Sequence, residues 1–172
     1  MYKKIFLTGG TGLIGSSIAK FLSNCQENIQ VKIPFRNSNG LFIKHPCIEY
    51  KNLDFNSHNN LKEMASGCDF AIMTAGMTGG FLQNKNQPWL QVTNNILLDT
   101  ITLQALFDAG IRSVIYLSSA TVYPNLKGKL NETDCNWSEN PQDRFFGVGW
   151  AKRNSEKLCE FWSKQDMDIS VL

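Results

Sequence analysis

The sequence predicts an α/β protein with a doubly wound parallel sheet and helices on both faces. Short apolar segments alternate along the chain with amphipathic helical segments, and this alternation favours parallel strands joined by crossover helices. The first apolar segment runs directly into a glycine-spaced turn that opens a helix. Hydrophobic residues make up 42% and charged residues 19% of the 172 positions, as in globular proteins. We therefore expect one domain over residues 1–172, long enough to bury a core.

The individual elements follow from the same alternation. Strands are predicted at Lys4–Thr8, Ile29–Phe35, Ile48–Leu53, Asp69–Thr74, Arg112–Ser118 and Asp168–Leu172, and helices at Leu13–Asn24, Asn60–Ala65, Trp89–Ala109 and Gly149–Lys164. The side chains expected on the buried face of the first helix are those of Ile14, Ile18, Phe21 and Leu22. Gly110 is expected to cap the long helix. Residues 124–147 form a long polar loop, which is a typical place for function. Because the sixth strand falls on the last residues, we expect a domain incomplete at its C-terminus, without a substrate-binding region.

The glycines after the first strand predict a dinucleotide site. Gly9 permits the tight turn out of the strand, Gly12 lets backbone N–H groups approach a pyrophosphate, and Gly15 lets the helix pack closely on the sheet. The helix then directs its N-terminal donors and the positive end of its dipole at the phosphates. A glycine triplet alone is weak support, but this one follows a strand and opens a helix.

Charge and cysteine content argue against several other classes of protein. The net charge is +2, from 17 basic and 15 acidic residues spread along the chain, so neither nucleic acid nor another polyanion is expected as a partner. We expect no metal site, since His45 and His58 lie in polar stretches without ligand partners. No signal peptide or membrane-spanning segment is predicted, and we expect a cytoplasmic protein. Its five cysteines are then reduced thiols: Cys25, Cys47, Cys68, Cys135 and Cys159.

The end of the second strand bears on the choice of cofactor. It reads Pro34-Phe35-Arg36-Asn37, without the carboxylate that would hold the ribose 2′-hydroxyl of NAD. The planar fork of Arg36 suits the 2′-phosphate of NADP, although the residue can also be an ordinary surface arginine. We therefore expect NADP or NAD, with a slight preference for NADP.

Several segments resemble the extended short-chain dehydrogenase/reductases, the nucleotide-sugar epimerases and dehydratases. The segments that carry this resemblance are Thr8–Gly15, Asn52–Asp54, Thr74–Gly76, Val92–Asn95 and Ser118–Pro124. Within the family, residues 75–80 and 119–124 look most like the branch that acts on GDP-linked deoxy sugars, although Thr121 stands where that branch carries a catalytic cysteine. The resemblance implies a Rossmann-type fold, a nucleotide-sugar substrate and a homodimer.

The resemblance also implies a set of cofactor contacts. They are Gly9, Thr11, Gly12, Leu13, Ile14, Gly15, Arg36, Leu53, Asp54, Ala75, Gly76, Asn95 and Lys152. The apolar stripe formed by Leu97, Leu98, Ile101 and Leu106 on the long helix would belong to a dimer interface in the family, but core packing within one subunit explains it equally well.

Catalysis in the family is hydride transfer, with a side chain that moves the hydroxyl proton. Typical members use a tyrosine four residues before a lysine, and a serine or threonine after the fifth strand. The resemblance implies Ser119 and Lys152 as catalytic residues, but Val148 stands where the tyrosine belongs. The alternatives are that Ser119 only caps backbone groups and that Lys152 is an ordinary solvated lysine.

Tyr123 is the last tyrosine in the chain, so no shift of the following loop can supply one. Three functions remain open, the third of which is a plain interaction domain without a ligand. The first is an NAD(P)-dependent nucleotide-sugar epimerase, dehydratase or reductase with an atypical acid/base. The second is a non-catalytic dinucleotide-binding relative. In the long loop, Trp137 can stack on a substrate or pin the loop, and Glu132 and Asp134 can help to order it.

Overall fold

A computed structural model describes residues 3–25, 28–37, 39–78, 86–125, 128, 131–134 and 136–172. The strands are β1 (Lys3–Thr8), β2 (Ile29–Phe35), β3 (Ile48–Asn52), β4 (Phe70–Met73), β5 (Ser113–Tyr116) and β6 (Asp168–Val171), and the helices are α1 (Leu13–Ser23), α2 (His58–Ala65), α3 (Pro88–Asp108) and α4 (Phe146–Ser163). Short 3₁₀ turns lie at Ala120–Val122, Glu132–Asp134 and Asp143–Phe145.

The six strands form one parallel sheet in the order β3-β2-β1-β4-β5-β6. This order confirms the predicted doubly wound, Rossmann-type sheet. Strands β1 to β3 are added towards one edge of the sheet, and β4 to β6 are added towards the other edge. The loops that leave β1 and β4 therefore diverge and open a crevice at the carboxyl ends of these strands.

The core lies on both faces of the sheet, as predicted. Successive side chains of β1 point to opposite faces, so Ile5 and Leu7 pack on one side and Phe6 on the other. The first cluster also contains Ala19 of α1 and the buried residues of β2. The second contains buried residues of α2, α3, β5 and α4. Burying each large apolar side chain contributes about 1.5–3 kcal/mol, so these two layers hold the helices against the sheet.

The prediction for the buried face of α1 was half wrong. Ile14 is 52% exposed and Phe21 is 70% exposed, whereas Ile18 and Leu22 pack against the core. The fully buried positions of α1 are the small residues Gly15, Ser16 and Ala19. Small residues let α1 approach the sheet closely, so only a narrow strip of the helix surface touches the sheet. Ile14 and Phe21 lie beside this strip rather than on it.

Most predicted boundaries are correct to within one or two residues, with two instructive differences. Helix α2 begins at His58 rather than Asn60, because the hydroxyl of Ser57 accepts the backbone N–H of Asn60 and caps the helix earlier. Helix α4 begins at Phe146, three residues before the predicted start, and no side chain caps that end. Gly110 follows α3 with φ +88°, as its predicted capping role requires.

The described part of the chain contains no helix long and apolar enough to cross a membrane. Within the same residues, no three His, Cys, Asp or Glu side chains are grouped so that they could hold a metal ion. Cys25, Cys47, Cys68 and Cys159 are free thiols. Cys135, Gly79, Gly80 and the side chain of Asp134 lie outside the described residues.

Candidate functional site

The glycine turn between β1 and α1 is held by close backbone contacts. Gly9 has φ +71°, and a Cβ there would lie 2.6 Å from the nitrogen of Ala75. The N–H of Gly12 donates to the carbonyl of Gly9 at 2.9 Å. A Cβ on Gly15 would lie 2.2 Å from the same carbonyl oxygen, so the need for glycine there comes from the turn itself. No side chain caps the start of α1, which leaves its first N–H groups available to an anion.

A cavity of about 380 Å³ opens beside this turn. Its wall includes Arg36 from the end of β2, Asp54 from the end of β3 and Gly76 after β4. The carboxylate of Asp54 accepts the N–H of Asn56 at 2.9 Å, which fixes the turn that carries it. The side-chain amide of Asn52 donates to the carbonyl of Arg36 at 3.2 Å.

A second cavity, of about 570 Å³, lies at the carboxyl end of β5. Ser119, Lys152 and Val148 all line it. The two cavities share the wall formed by residues 74–77, at the end of β4. They therefore form one groove along the carboxyl edge of the sheet, at the point where the strand order reverses, and this is the position where such sheets bind ligands.

Asn95 of α3 holds the shared wall in place. Its Oδ1 accepts the backbone N–H of Met77 at 2.7 Å, and its Nδ2 donates to the carbonyl of Met77 at 3.0 Å. The residue is buried in the protein, and it also lines the second cavity. Asn95 thus shapes the groove through Met77.

Lys152 lies in a buried polar network behind the second cavity. It is 9% exposed, and its Nζ donates to the hydroxyl of Tyr116 at 2.7 Å and to the carbonyl of Leu117 at 3.3 Å. The Tyr116 hydroxyl donates in turn to the carboxylate of Asp99 at 2.7 Å, and Ser155 donates to the same oxygen. A solvated lysine would not have this environment, so that alternative is excluded.

Burial and a neighbouring charge keep the Tyr116 phenol protonated. Asp99 is 2% exposed, and its Oδ2 lies 3.7 Å from Nζ of Lys152. Burial, and after it the charge of Asp99, raise the pKa of Tyr116 above its ordinary value. Tyr116 therefore stays a neutral phenol that bridges the ammonium and the carboxylate, rather than a base.

Ser119 caps the short turn after β5, which is one of the two roles considered for it. Its Oγ accepts the N–H of Thr121 at 3.2 Å and the Thr121 hydroxyl at 3.0 Å, so it caps the short turn at Ala120–Val122. The same hydroxyl faces the cavity. A serine hydroxyl that accepts two hydrogen bonds can still donate its own proton to a ligand.

Some residues implied by the resemblance do not line either cavity. Leu13 and Ile14 are exposed, Gly15 is buried beneath the turn, and the side chain of Leu53 lies in the core. The residues of the predicted set that do line the groove are Gly9, Thr11, Gly12, Arg36, Asp54, Ala75, Gly76, Asn95, Ser119 and Lys152.

Trp137 pins the loop rather than facing the groove. Its ring lies 4.8 Å from Nζ of Lys157 and 5.5 Å from the guanidinium of Arg153. Glu132 is exposed in its short turn.

The two histidines make local contacts on the surface. Nδ1 of His45 lies 3.0 Å from the Cys47 thiol, and Nε2 of His58 pairs with the carboxylate of Asp108 in α3.

Sequence reasoning missed Asp99 and Tyr116. A signal for Asp99 was present, because a carboxylate on the apolar side of a long helix needs a buried partner. That partner lies on another helix, 53 positions further along the chain, and the sequence alone does not identify it.

The sheet order and the groove define a nucleotide-binding α/β domain, and comparison with known proteins identifies its family. Residues 5–172 match the NAD dependent epimerase/dehydratase family. The chain belongs to this family. The match supports binding of NAD or NADP, and it confirms the resemblance to the extended dehydrogenase/reductases.

Two curated relatives are similar along nearly the whole chain. GDP-mannose 3,5-epimerase 1 of Oryza sativa subsp. japonica is 27% identical over 168 residues, which are 94% of this chain and 43% of the relative. GDP-L-fucose synthase of Sinorhizobium fredii is 24% identical over 165 residues, 95% of this chain and 48% of the relative. The chain thus spans about half the length of the curated relatives it matches. The GDP-L-fucose synthase is consistent with the resemblance of residues 75–80 and 119–124 to the branch that acts on GDP-linked deoxy sugars.

Solved structures show the same fold. The dTDP-glucose 4,6-dehydratase DesIV of Streptomyces venezuelae, solved with NAD, gives a TM-score of 0.81 at 16% identity and covers 98% of this chain and 54% of its own. UDP-glucose 4-epimerase of Thermotoga maritima gives 0.79 at 18% identity, with 98% and 54% coverage.

Proposed function

We propose that the protein is an NAD(P)-dependent enzyme that epimerises, dehydrates or reduces a nucleotide sugar, with an atypical acid/base in place of tyrosine. The observation that carries this proposal is the single groove that joins the glycine turn to Ser119 and Lys152. The residues present fit a dinucleotide, because the turn has room only for glycine at positions 9 and 15 and leaves unpaired N–H groups at the start of α1. When bound, the cofactor supplies or accepts a hydride at a sugar carbon.

The chain's own residues have distinct roles in this proposal. The turn and α1 bind the pyrophosphate, and Asp54 holds the adenine side of the cofactor. Lys152 holds the nicotinamide ribose, as the resemblance implies, and the Ser119 proton is donated to the reacting sugar oxygen. Val148 contributes only an apolar surface one helical turn before Lys152.

Arg36 supports a preference for NADP. It is exposed at the rim of the first cavity, and the Asn52 contact fixes its backbone. We expect Arg36→Ala to weaken NADPH binding about tenfold or more while NADH affinity changes little, because only NADPH has a 2′-phosphate to lose its charged partner. Fluorescence titration of both cofactors measures this, and equal losses for both would contradict the preference.

Turnover is tested with the full-length natural protein, NADPH and a panel of GDP- and UDP-linked 4-keto-6-deoxy sugars. Absorbance at 340 nm reports cofactor oxidation, and NMR of the recovered sugar reports epimerisation. Oxidation or a new epimer supports the enzyme. Neither, with cofactor binding intact, supports the second candidate, a non-catalytic dinucleotide-binding relative, which the Val148 substitution favours.

We also propose a homodimer, although the predicted stripe on α3 supplies little exposed surface for it. Leu106 is buried, Ile101 packs on the core and Leu98 lines the first cavity, which leaves Leu97 as the exposed member. Light scattering of the full-length protein measures the oligomeric state directly, and a monomeric mass would remove this part of the proposal.

A further inference from the structure

We propose that Arg144 and Trp89, at the mouth of the second cavity, recognise the nucleoside diphosphate part of the substrate: Arg144 pairs with its phosphates and Trp89 stacks on its base. The inference rests on the proposed function and deepens it, because it names the residues that select a nucleotide-linked sugar over a free sugar. Three features carry it, namely the charge of the cavity wall, the way the guanidinium is held, and the position of both side chains at the rim.

The first feature is the charge of the cavity wall. Among the described residues that line the second cavity, the charged side chains are those of Arg144 and Lys152, and there is no Asp or Glu. Lys152 is buried and donates to Tyr116 and to a backbone carbonyl, whereas Arg144 is exposed. A cofactor bound as proposed places its pyrophosphate at the glycine turn, in the first cavity. The anion that suits Arg144 must then belong to the substrate.

The second feature is the way the Arg144 guanidinium is held. It lies over the ring of Phe145, 4.4 Å from the ring centroid, and its Nε donates to Oε1 of Gln142 at 3.2 Å. Among the described residues, its two terminal nitrogens have no hydrogen-bond partner, and none of the ion pairs includes it. These contacts fix the plane of the guanidinium and leave the end of its fork open, where it matches two oxygens of a phosphate.

The third feature is the position of the two side chains at the rim. Helices α3 and α4 meet near their first turns, where a Cβ on Gly147 would lie 2.8 Å from Cγ2 of Val92. Trp89 comes one turn before Val92 on α3, and Arg144 comes three residues before Gly147 in the preceding 3₁₀ turn. Both line the cavity, and Trp89 is 59% exposed. An exposed indole and an exposed cation on one rim suit a ligand in which a flat ring adjoins a phosphate.

The depth of the cavity favours a diphosphate over a carboxylate on the sugar as the anion. Ser119, whose proton is proposed to reach the sugar oxygen, is half-buried, whereas Arg144 is exposed at the rim. A carboxylate of an acidic sugar is attached to the reacting ring itself. The diphosphate leaves the ring at its anomeric carbon and continues to the base, so it extends away from the reacting centre. With the sugar at Ser119, the diphosphate and the base reach the rim.

Ligand binding to the full-length protein saturated with NADPH or NADH tests both contacts without turnover. GDP, UDP, dTDP and CDP are titrated by calorimetry, and the nucleoside of the tightest-binding diphosphate is measured by ligand-observed NMR. Arg144→Gln should weaken the diphosphate about tenfold or more and leave the nucleoside unchanged, because only the diphosphate loses a charged partner. Trp89→Leu should weaken both ligands about fivefold or more, because both contain the base that stacks on the indole.

Arg112→Gln is the matched control for the arginine. Arg112 is also exposed and also lies over a phenylalanine ring, 4.1 Å from the centroid of Phe107. It directly precedes β5, at the opposite edge of the sheet, and lines neither cavity. This substitution removes the same charge and should leave both affinities as in the wild type. Equal losses of diphosphate affinity in Arg112→Gln and Arg144→Gln would show a general effect of net charge and overturn the contact.

The outcomes separate this inference from the proposed function. Failure of both NADPH and NADH to bind would contradict the proposed function. Cofactor binding without affinity for any of the four diphosphates, or an unchanged diphosphate affinity in Arg144→Gln, overturns the role of Arg144. The same role is overturned if Arg144→Gln loses affinity for glucuronate instead, because the arginine then binds a sugar carboxylate. A nucleoside that does not bind at millimolar concentration, or binds Trp89→Leu as it binds the wild type, overturns the role of Trp89.

Discussion

Replacing Gly15 and Gly76 by alanine should separate folding of the glycine turn from binding in the groove. At Gly15 the new Cβ would lie 2.2 Å from the carbonyl oxygen of Gly9, about 1.2 Å closer than ordinary contact, so two backbone segments must move apart. Overpacking of this kind costs about 1–3 kcal/mol, and the better helix propensity of alanine offsets up to about 1 kcal/mol. We expect a net loss of about 1–2 kcal/mol, a fall in Tm of roughly 2–8 °C and weaker NADPH binding.

At Gly76, by contrast, the substitution by alanine should leave the free energy of unfolding unchanged. The nearest atom to a new Cβ is Oδ1 of Asn95 at 3.9 Å, and the backbone there does not require glycine. The methyl group would stand on the wall that both cavities share, so stability should hold while NADPH affinity falls about tenfold or more. Urea unfolding followed by circular dichroism and fluorescence titration of NADPH provide the two measurements.

Two results would refute this reasoning. A wild-type unfolding midpoint in Gly15→Ala would mean that the contact with Gly9 does not constrain the turn. Wild-type affinity in Gly76→Ala would mean that the cofactor does not cross the shared wall.

Three further predictions follow from other parts of the molecule. Arg153→Met should cost roughly 3–5 kcal/mol in urea unfolding, because the buried guanidinium donates to three backbone carbonyls, among them that of Val122, and an unchanged midpoint would show that water replaces it. Burial raises the pKa of Cys159 from 9.0 to about 12, so stability should fall as pH rises above about 9, where the unfolded thiol ionises and the folded one does not. Thermal melts at pH 8 and 10 should show this slope reduced in Cys159→Ala, and an equal slope in the two proteins would argue against it. Val148→Tyr should change turnover by less than about tenfold if Ser119 already supplies the proton, whereas a gain of about a hundredfold or more would show that the wild type lacks a proton donor.

The sequence predicts the sheet and one end of the groove well because both depend on local patterns. Apolar segments of strand length alternate with helices, and the glycine turn has a spacing that few other structures require. The same patterns fail where tertiary contacts decide the outcome. Ile14 and Phe21 have the right spacing for a buried face, but α1 packs on the sheet through small residues. The start of α4 at Phe146 could not be predicted from a capping residue, because no side chain caps that end of the helix.

The other end of the groove depends on partners that are distant in sequence. Ser119 and Lys152 can be identified from their local segments, because each follows a recognisable strand or helix pattern. The network behind Lys152 cannot, since it joins α3, β5 and α4 through hydrogen bonds that span 17 to 56 positions. Only the packed fold shows that the carboxylate of Asp99 belongs to this site.

The free-energy cost of burying the charges of Lys152 and Asp99 is relevant to whether the site is catalytic or only binds a cofactor. Replacing a buried ion pair by apolar residues of similar volume is often neutral or stabilising, so the contacts among Lys152, Tyr116 and Asp99 are poorly explained by stability alone. A purely structural crossing of α3 and α4 would need no charge at all. The pair lies instead behind the second cavity, which Lys152 and Ser119 both line. Unfavourable burial of charge is characteristic of functional sites, where it sets protonation and geometry. The network therefore supports the proposed enzyme over the non-catalytic relative, which the valine at position 148 would favour.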